Sequence, residues 1–292
     1  MTRLSNLHIL LALAIVAIWG SNFVVIKLAI AHLPPLFFAC LRFTLVFFPL
    51  CLFLKRPAVP LSNLAGYGLL IGVGQFGLVF LALKGQISPG ITSLVLQLQV
   101  FVTIGYSVIK GNEKLRAYQY VALGMAVLGL ALIAYSGGGS ATPLGLAMII
   151  GAAFSWGFAN VVSRAAGKID MLAYVVWAAV FAVPPLLALS LVFEGWQADL
   201  QGLQQADAFS WAALVWQSVA NTMFGYGAWA WLLARYPSAS VAPMALLVPI
   251  FGMSTSAIVL GEPMEPWKLA ATALVLGGLA LNLLWPRLTH LR

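Results

Sequence analysis

The chain has 292 residues, of which 62% are hydrophobic and only 8% are charged, and its mean hydropathy is +1.00. A soluble globular domain carries about 25% charged residues, so this composition excludes an ordinary soluble fold. The formal net charge is +8, but the basic residues are scattered over short segments between apolar stretches. That pattern indicates orientation in a membrane rather than binding to nucleic acid.

Apolar stretches of about 20 residues recur along the whole chain, and this length predicts membrane-spanning helices. Only helices and closed barrels satisfy the backbone inside a bilayer, and barrel strands would alternate apolar and polar residues with a period of two. We therefore predict an all-α integral membrane protein with ten transmembrane helices. The predicted spans are 7–29, 34–54, 62–83, 88–110, 117–135, 143–165, 171–193, 210–233, 238–260 and 267–285.

The chain contains two related halves. The segment 19–25 in the first predicted span is closely similar to 156–162 in the sixth, and 101–113 is similar to 251–262. A repeat of this size in a membrane protein is typical of transporters whose binding site lies between the halves. The predicted organisation is a first five-helix repeat at 1–136, a glycine-rich linker at 137–142 and a second five-helix repeat at 143–292.

The distribution of Lys and Arg predicts how the repeats lie in the membrane. With a cytoplasmic N-terminus, eleven of these residues fall on the cytoplasmic side and only Lys84 and Lys268 on the other. Because basic residues concentrate in cytoplasmic loops, both termini are predicted to be cytoplasmic. Five spans per repeat is an odd number, so the second repeat is predicted to be inverted, with a central cavity between the two.

Side-chain amides inside the predicted spans are the first candidates for a functional site. An amide facing lipid would lose hydrogen bonds, so these side chains should face the bundle interior. There they could either join two helices by a hydrogen bond or line a polar cavity. An amide can donate to a carboxylate and accept from an ammonium, which suits a zwitterionic ligand. The amides are Asn22, Gln75, Gln97, Gln99, Asn160 and Asn221.

Aromatic residues form a second group of candidates. Trp19 and Trp156 lie near the middle of their predicted spans, whereas Trp in membrane proteins collects at the interfaces. They are predicted either to pack in the core or to form symmetric aromatic walls around a substrate. The same two alternatives hold for five further residues that could extend such a lining, which are Phe76, Phe80, Phe224, Tyr226 and Trp229.

Lys27, Arg42 and Arg164 are the basic residues nearest to the apolar zone. They could snorkel or contact backbone carbonyls at a helix end. The alternative is an ion pair, or attraction of a substrate carboxylate at the mouth of the cavity.

Pro243 and Pro249 interrupt the ninth predicted span. Each proline removes a backbone hydrogen bond and can bend a helix. We therefore predict that this span bends and forms a gate.

The predicted spans contain no Asp or Glu, and His8, His32 and His290 lie at span ends. Proton-coupled pumps usually carry a carboxylate or His within the membrane, so we expect facilitated diffusion or exchange driven by the substrate gradient. No nucleophile–base pair and no metal-ligand spacing occurs in the sequence, so neither an enzyme nor a metal or cofactor site is expected. A structural assembly subunit is a further alternative, against which a cavity between the repeats would argue.

The motifs together resemble the EamA-type branch of the drug/metabolite transporter superfamily. That pattern has Trp-Gly in the first helix of each half, a basic residue about eight positions later, an Arg in the second helix and Gly-Glu at the end of each fourth helix. The matching residues are Trp19-Gly20 with Lys27, Trp156-Gly157 with Arg164, Arg42, Gly261-Glu262 and, with one inserted residue, Gly111-Asn112-Glu113.

This resemblance implies a monomeric ten-helix exporter of amino acids or other small metabolites, surrounded by lipid of a bacterial inner membrane. The family commonly has Pro in the middle of each fourth helix; Pro249 fits, but the equivalent position in the first half is Gln99. Together with Gln97, this departure resembles the amino-acid exporters of YddG type. Drug cations and nucleotide sugars remain alternative substrates.

Overall fold

Helices make up almost all of the computed structural model, which describes residues 5–111, 116–136, 140–236 and 241–289. Within these ranges, nine helical segments are long and apolar enough to cross a membrane. In chain order the helices are α1 (Asn6–Ala29), α2 (Pro35–Phe47, then the turn Leu50–Leu52), α3 (Leu61–Leu83), α4 (Pro89–Val95, Leu96–Leu98 and Gln99–Gly111), α5 (Ala117–Ser136), α6 (Pro143–Ala165), α7 (Met171–Ala179 and Val183–Phe193), α8 (Trp196–Gln205), α9 (Ala208–Val215, Trp216–Phe224 and Gly225–Arg235), α10 (Ala242–Leu247 and Val248–Leu260) and α11 (Pro266–Thr289).

The helix α9 occupies the position of the eighth predicted span but is not among the nine apolar segments. Its middle part carries the buried polar residues Gln217, Ser218, Asn221 and Thr222, which lower its hydropathy. The number of ten spans therefore stays a prediction. The polar segment preceding α9, between Glu194 and Asp207, contains the short helix α8.

Several helices begin where the sequence supplies both a cap and a proline. Ser88 and Thr142 precede the first prolines of α4 and α6, and their hydroxyls accept the amide hydrogens of Ile91 and Gly145. Proline suits the first helical position because that amide has no partner within the helix. These caps explain why the predicted boundaries at 88 and 143 agree with the structure.

The two Trp-Gly motifs are points where helices come into close contact. A Cβ added to Gly20 would lie 2.5 Å from the carbonyl oxygen of Val248 in α10. A Cβ added to Gly157 would lie 2.6 Å from the Cβ of Val102 in α4. Each motif thus allows the first helix of one half to approach the fourth helix of the other half, because glycine alone leaves room for the neighbouring backbone.

The helices α5 and α11 pack together in the same way. A Cβ on Gly129 would lie 2.7 Å from Val275 Cγ2, and one on Gly278 would lie 2.6 Å from the carbonyl oxygen of Ala122. The last helix of each half therefore pairs with that of the other half through small residues.

The linker between the halves is partly described. The predicted linker 137–142 includes 137–139, which lie outside the described residues. Beyond them, the amide of Thr142 donates to the carbonyl oxygen of Gln86 at 2.7 Å. The amide of Ser88 donates to the carbonyl oxygen of Ser140 at 2.8 Å. The start of the second half is thereby attached to the α3–α4 turn of the first.

Two π-helical segments interrupt otherwise regular helices. Leu70–Gly77 lies in the middle of α3, and Trp216–Phe224 lies in the middle of α9. In the predicted repeat these are the third helices of the two halves, so the distortion occurs at corresponding places. Such segments are rare and are frequently found at functional sites.

We predict that Gly20→Ala destabilises the protein, because the added methyl group would collide with backbone atoms of α10. The expected loss is about 1–3 kcal/mol, as for other overpacked helix contacts. Thermal unfolding of the purified protein in detergent measures it. The matched control is Gly124→Ala in α5, where a Cβ would meet nothing within 4 Å and should be neutral or slightly stabilising. Equal unfolding temperatures for the two variants would contradict the packing described above.

Candidate functional site

A polar cavity of about 490 Å³ lies among α4, α6 and α11. Asn160 donates through Nδ2 to Gln99 Oε1 at 2.6 Å across its wall. The Thr103 hydroxyl fixes the same wall by donating to the Gln99 carbonyl at 2.8 Å. The cavity is lined by Gln99, Val100, Thr103, Ile104, Asn160, Ser163, Arg164 and Asn282.

Three predicted site residues therefore meet at this cavity, namely Gln99, Asn160 and Arg164. The two amides offer donors and acceptors without charge, whereas the exposed Arg164 adds a positive charge at the edge. This combination can accept a small ligand that carries both hydrogen-bonding groups and an anionic group. Asn282 was not among the predicted residues, although an amide inside the tenth predicted span was a usable signal.

Arg42 lies at a second polar position, in the interior between α2, α3 and α9. Its side chain is only 1% exposed, and Nη2 donates to the Thr222 hydroxyl at 3.0 Å. The guanidinium carbon lies 3.8 Å from the ring centre of Phe76 and 4.8 Å from that of Phe43. Snorkelling is thus the wrong interpretation for Arg42, because neighbouring helices enclose the charged group.

The ion pairs among the described residues involve Lys268 and do not include Arg42. Among the described residues, the positive charge is surrounded by aromatic rings, the Thr222 hydroxyl and the electrostatically coupled Tyr226 instead of a carboxylate. Burying an unpaired charge is costly, so a buried guanidinium without a carboxylate among the described residues is unusual.

An aromatic cluster surrounds Trp19. Its ring lies 5.8 Å from that of Tyr226 and 5.2 Å from that of Trp229, and its Nε1 donates to the Asn221 carbonyl at 3.1 Å. A Cβ on Gly225 would lie 2.5 Å from this nitrogen, so glycine is needed to admit the indole. The cluster joins α1 to α9. It combines packing with one polar contact, so both predicted roles of Trp19 stay open.

The predicted amides do not all serve the same purpose. Asn22 is buried and its Oδ1 accepts from Gln217 Nε2 at 2.6 Å, so this pair joins α1 to α9. Gln75 is also buried, but its Oε1 has no hydrogen-bond partner among the residues that the structure describes. Gln217 was missed by the sequence analysis, although it is an amide within a predicted span.

Lys27 contacts a helix end. Its Nζ donates to the carbonyl oxygen of Leu83 at 2.7 Å, which ties α1 to the end of α3. One of the two predicted roles, contact with backbone carbonyls, therefore fits Lys27.

The other predicted residues lie in varied surroundings. Phe80 and Gln97 are buried, Trp156 is half-buried against the apolar core, and Phe224 is 41% exposed and does not line the polar cavity. Pro243 and Pro249 begin the two segments of α10, so the helix changes its hydrogen bonding between them as the predicted bend requires. Whether this bend forms a gate stays a prediction.

The Gly-Glu motif after α10 forms a compact charged centre. Glu262 accepts from Ser88 at 2.5 Å, from Lys268 at 2.9 Å and from the Ser256 hydroxyl. These partners belong to the beginning of α4, the end of α10 and the beginning of α11. One carboxylate therefore holds three helix ends together. The corresponding Asn112-Glu113 lies outside the described residues.

The surroundings of Glu262 also set its protonation. Burial alone would raise the pKa of this carboxyl, but the hydrogen bonds from Ser256, Ser88 and Lys268 and the Lys268 charge outweigh it. The net result is a pKa below the ordinary value of 4.5. The carboxylate is accordingly charged at neutral pH, and its contribution to stability is present above that ordinary value and lost as the pH falls below it.

The helical architecture, the polar cavity and the motif positions define a polytopic membrane protein of the transporter class. The model of the EamA-like transporter family matches residues 6–135 and again 143–284. The chain therefore belongs to this family, and the resemblance inferred from its motifs is confirmed.

Relatives of known sequence match along nearly the full length. A protein of Salmonella typhimurium named probable amino-acid metabolite efflux pump is 39% identical, with 93% of each chain covered. An Escherichia coli protein of the same name is 36% identical over the same share of both chains. An uncharacterized transporter of Bacillus subtilis, YoaV, is 28% identical over 92% of this chain and 94% of its own.

A solved crystal structure shares the fold. It superposes with a TM-score of 0.63 and covers 95% of this chain and 97% of its own, at 18% sequence identity. At this level of identity the likeness concerns the arrangement of helices alone.

We predict that Glu262→Gln destabilises the protein at neutral pH, because buried Lys268 loses its closest carboxylate and keeps only the half-exposed Glu265 at 3.7 Å. The expected loss is about 3 kcal/mol. Thermal unfolding between pH 7 and pH 3.5 measures it. The difference from the wild type should shrink below pH 4.5, since protonation removes the same charge from the wild type.

The control variant is Glu265→Gln, which changes a half-exposed carboxylate 3.7 Å from the same Lys268 Nζ. Its cost should stay below about 1 kcal/mol. An equal loss in both variants, or a loss for Glu262→Gln that persists at low pH, would contradict the assigned role.

Proposed function

We propose that the chain is a bacterial inner-membrane exporter of neutral amino acids, aromatic ones among them, and of similar small metabolites. The observation that carries this proposal is the open polar cavity lined by Gln99, Asn160 and Arg164 in a largely apolar bundle. Its size, about 490 Å³, is suited to a small molecule. The names of the Salmonella and Escherichia coli relatives point in the same direction.

We also propose that transport proceeds by alternating access between two inverted five-helix repeats. Three observations support this proposal. The family model matches each half separately, the close-contact glycines Gly20 and Gly157 face the opposite half in the same manner, and the π segments occupy corresponding helices. Rocking of two such halves around a site between them is the usual way in which inverted repeats exchange access.

The structure corresponds, in this proposal, to a state open toward the cytoplasm. The cavity residues Ile104, Arg164 and Asn282 lie toward the helix ends that the charge distribution assigns to the cytoplasm. The opposite ends of α4, α10 and α11 are held together by Glu262. Export would then require breaking these contacts while the cavity closes. An inner membrane transporter of Escherichia coli, YedA, is 31% identical over 55% of this chain, which agrees with the proposed location.

Two alternative substrates fit the chain less well. A drug cation would favour a carboxylate inside the bundle, but none of the helices other than α8 contains Asp or Glu. A nucleotide sugar would favour several basic groups around its phosphates, whereas Arg164 is the single basic residue in the cavity lining. The amide-rich cavity instead suits a ligand without net charge. Since the family is a transporter family, an enzymatic function has no support.

Transport of amino acids by the wild-type protein is the first test. Purified protein in proteoliposomes should move neutral amino acids down their gradient and should not move drug cations or nucleotide sugars. Because we propose facilitated diffusion or exchange, an imposed pH gradient should leave the steady-state distribution unchanged. Selective flux of the cations or sugars, or uphill export that requires the pH gradient, would contradict the proposal.

Asn160→Leu should lower the transport rate about ten-fold or more, because it removes the polar group paired with Gln99 in the cavity wall. The measurement is initial flux in the same proteoliposomes. The matched control is Gln201→Leu on the exposed side of α8, which also removes an amide and should leave the flux unchanged. Wild-type flux in Asn160→Leu, or an equal reduction in both variants, would contradict the proposal that the substrate passes through this cavity.

A further inference from the structure

Buried polar atoms without hydrogen-bond partners occur on the three helices that meet at Arg42, namely α2, α3 and α9. Among the described residues there are six such side-chain atoms, and five belong to Arg42, Gln75, Trp216 and Gln217. Arg42 lies in α2, Gln75 in the π segment of α3, and the other two in that of α9. Native proteins leave few buried polar groups unpaired, so these atoms require an explanation.

Arg42 keeps most of its hydrogen-bonding capacity unused. Within the described parts of the chain Nε and Nη1 have no partner, and Nη2 gives one of its two hydrogens to Thr222. A guanidinium binds a carboxylate through two parallel N–H groups, and each of its two forks includes one hydrogen of Nη2. Because Thr222 accepts only one of the two Nη2 hydrogens, one pair of parallel N–H groups stays available to bind a carboxylate.

The residues in hydrogen-bonding or ring contact with Arg42 do not compete for this fork, and Tyr226 interacts with the guanidinium electrostatically. The Thr222 hydroxyl donates its own hydrogen to the Gln217 carbonyl at 2.9 Å, so its lone pair is directed at Arg42. The rings of Phe76 and Phe43 exclude water from the guanidinium but offer no acceptor in its plane. The Ser218 hydroxyl bonds to the backbone carbonyl of Arg42 and not to its side chain. Removal of water strengthens any charge pair formed there.

Unpaired acceptors lie on the same two π segments as the residues that hold Arg42. Gln75 Oε1 belongs to the residue before Phe76, and Gln217 Oε1 belongs to the residue whose carbonyl orients Thr222. Amide oxygens accept hydrogen bonds from an ammonium group. The region therefore offers free donors with a positive charge and free neutral acceptors, which together match a zwitterion better than a simple anion.

We propose that Arg42 binds the α-carboxylate of the transported amino acid and that Gln75 and Gln217 accept hydrogen bonds from its α-ammonium group. This inference rests on the proposed function and extends it, because it makes recognition depend on the amino-acid backbone. The polar cavity would admit the molecule, and the α3 and α9 π segments would separate from α2 to receive it. The side chain of the ligand then lies free of these contacts, so that several neutral amino acids are accepted.

The test compares an amino acid with two analogues that keep the ammonium group but lack the carboxylate, one without the carboxyl group and one with a neutral amide in its place. Phenylalanine, phenethylamine and phenylalaninamide are added to purified wild-type protein and to Arg42→Gln, and binding is measured by thermal shift and by competition with labelled amino acid. The wild type should bind the amino acid about 100-fold more tightly than either analogue. Arg42→Gln should lose this discrimination while keeping weak binding of the amine.

The control is Arg56→Gln, an exposed arginine in the segment between α2 and α3, which should retain the wild-type discrimination. If Arg42→Gln does not fold, the binding of the three compounds to the wild type still tests the inference. Equal binding of phenethylamine and phenylalanine would overturn it. Amino-acid transport by the wild type with discrimination retained in Arg42→Gln would overturn it as well, and would leave the proposed function intact. Absence of any amino-acid transport by the wild type would instead refute the proposed function.

Discussion

A guanidinium buried without a carboxylate is the constraint around which the centre of this bundle is organised. Arg42 reaches Thr222 on α9 and rests against Phe76 on α3, and Ser218 binds its backbone carbonyl. Three helices therefore meet at a single charged residue. The two π segments lie on two of these helices, which places the irregular backbone of the protein directly beside the charge. In a bilayer such irregular backbone is tolerated where it is enclosed by protein or lines a cavity.

The two ends of the bundle differ from each other in the polar contacts between their helices. At one end Glu262 joins α4, α10 and α11 through charged hydrogen bonds, and near the other end a polar cavity opens between α4, α6 and α11. Helices α4 and α11 take part in both features. A movement of these two helices could therefore close the cavity only while disturbing the charged centre. Such a coupling would serve the alternating access that we propose.

Sequence patterns predicted much of this architecture because the bilayer restricts what a chain can do. Nine predicted spans correspond to helices long and apolar enough to cross a membrane, with similar boundaries, since each begins or ends at proline, glycine or a capping side chain. The Trp-Gly and Gly-Glu motifs were recognisable because they depend on local properties, namely the small size of glycine and the position of a helix end. Gln99, Asn160 and Arg164 were predicted for the same reason, as polar residues in apolar spans.

The pairing of side chains could not be predicted in the same way. Helices such as α1 are apolar on all sides, so their sequence does not reveal which face meets a neighbour. For that reason the partnership of Asn22 with Gln217 and the burial of Arg42 were not predicted. The π segments of α3 and α9 have no clear signal in the sequence either. Side-chain contacts between distant helices therefore emerge only from the three-dimensional arrangement.

The most direct test of the account is an experimental structure with a bound amino acid that carries a heavy atom, such as bromophenylalanine. The account predicts that the ligand lies between α2, α3 and α9, with its carboxylate in hydrogen-bonding contact with the Arg42 guanidinium and its ammonium near Gln75 and Gln217. A ligand bound elsewhere in the bundle with Arg42 still unpartnered, or one on the apolar surface of α9 formed by Trp211, Val215 and Val219, would contradict it.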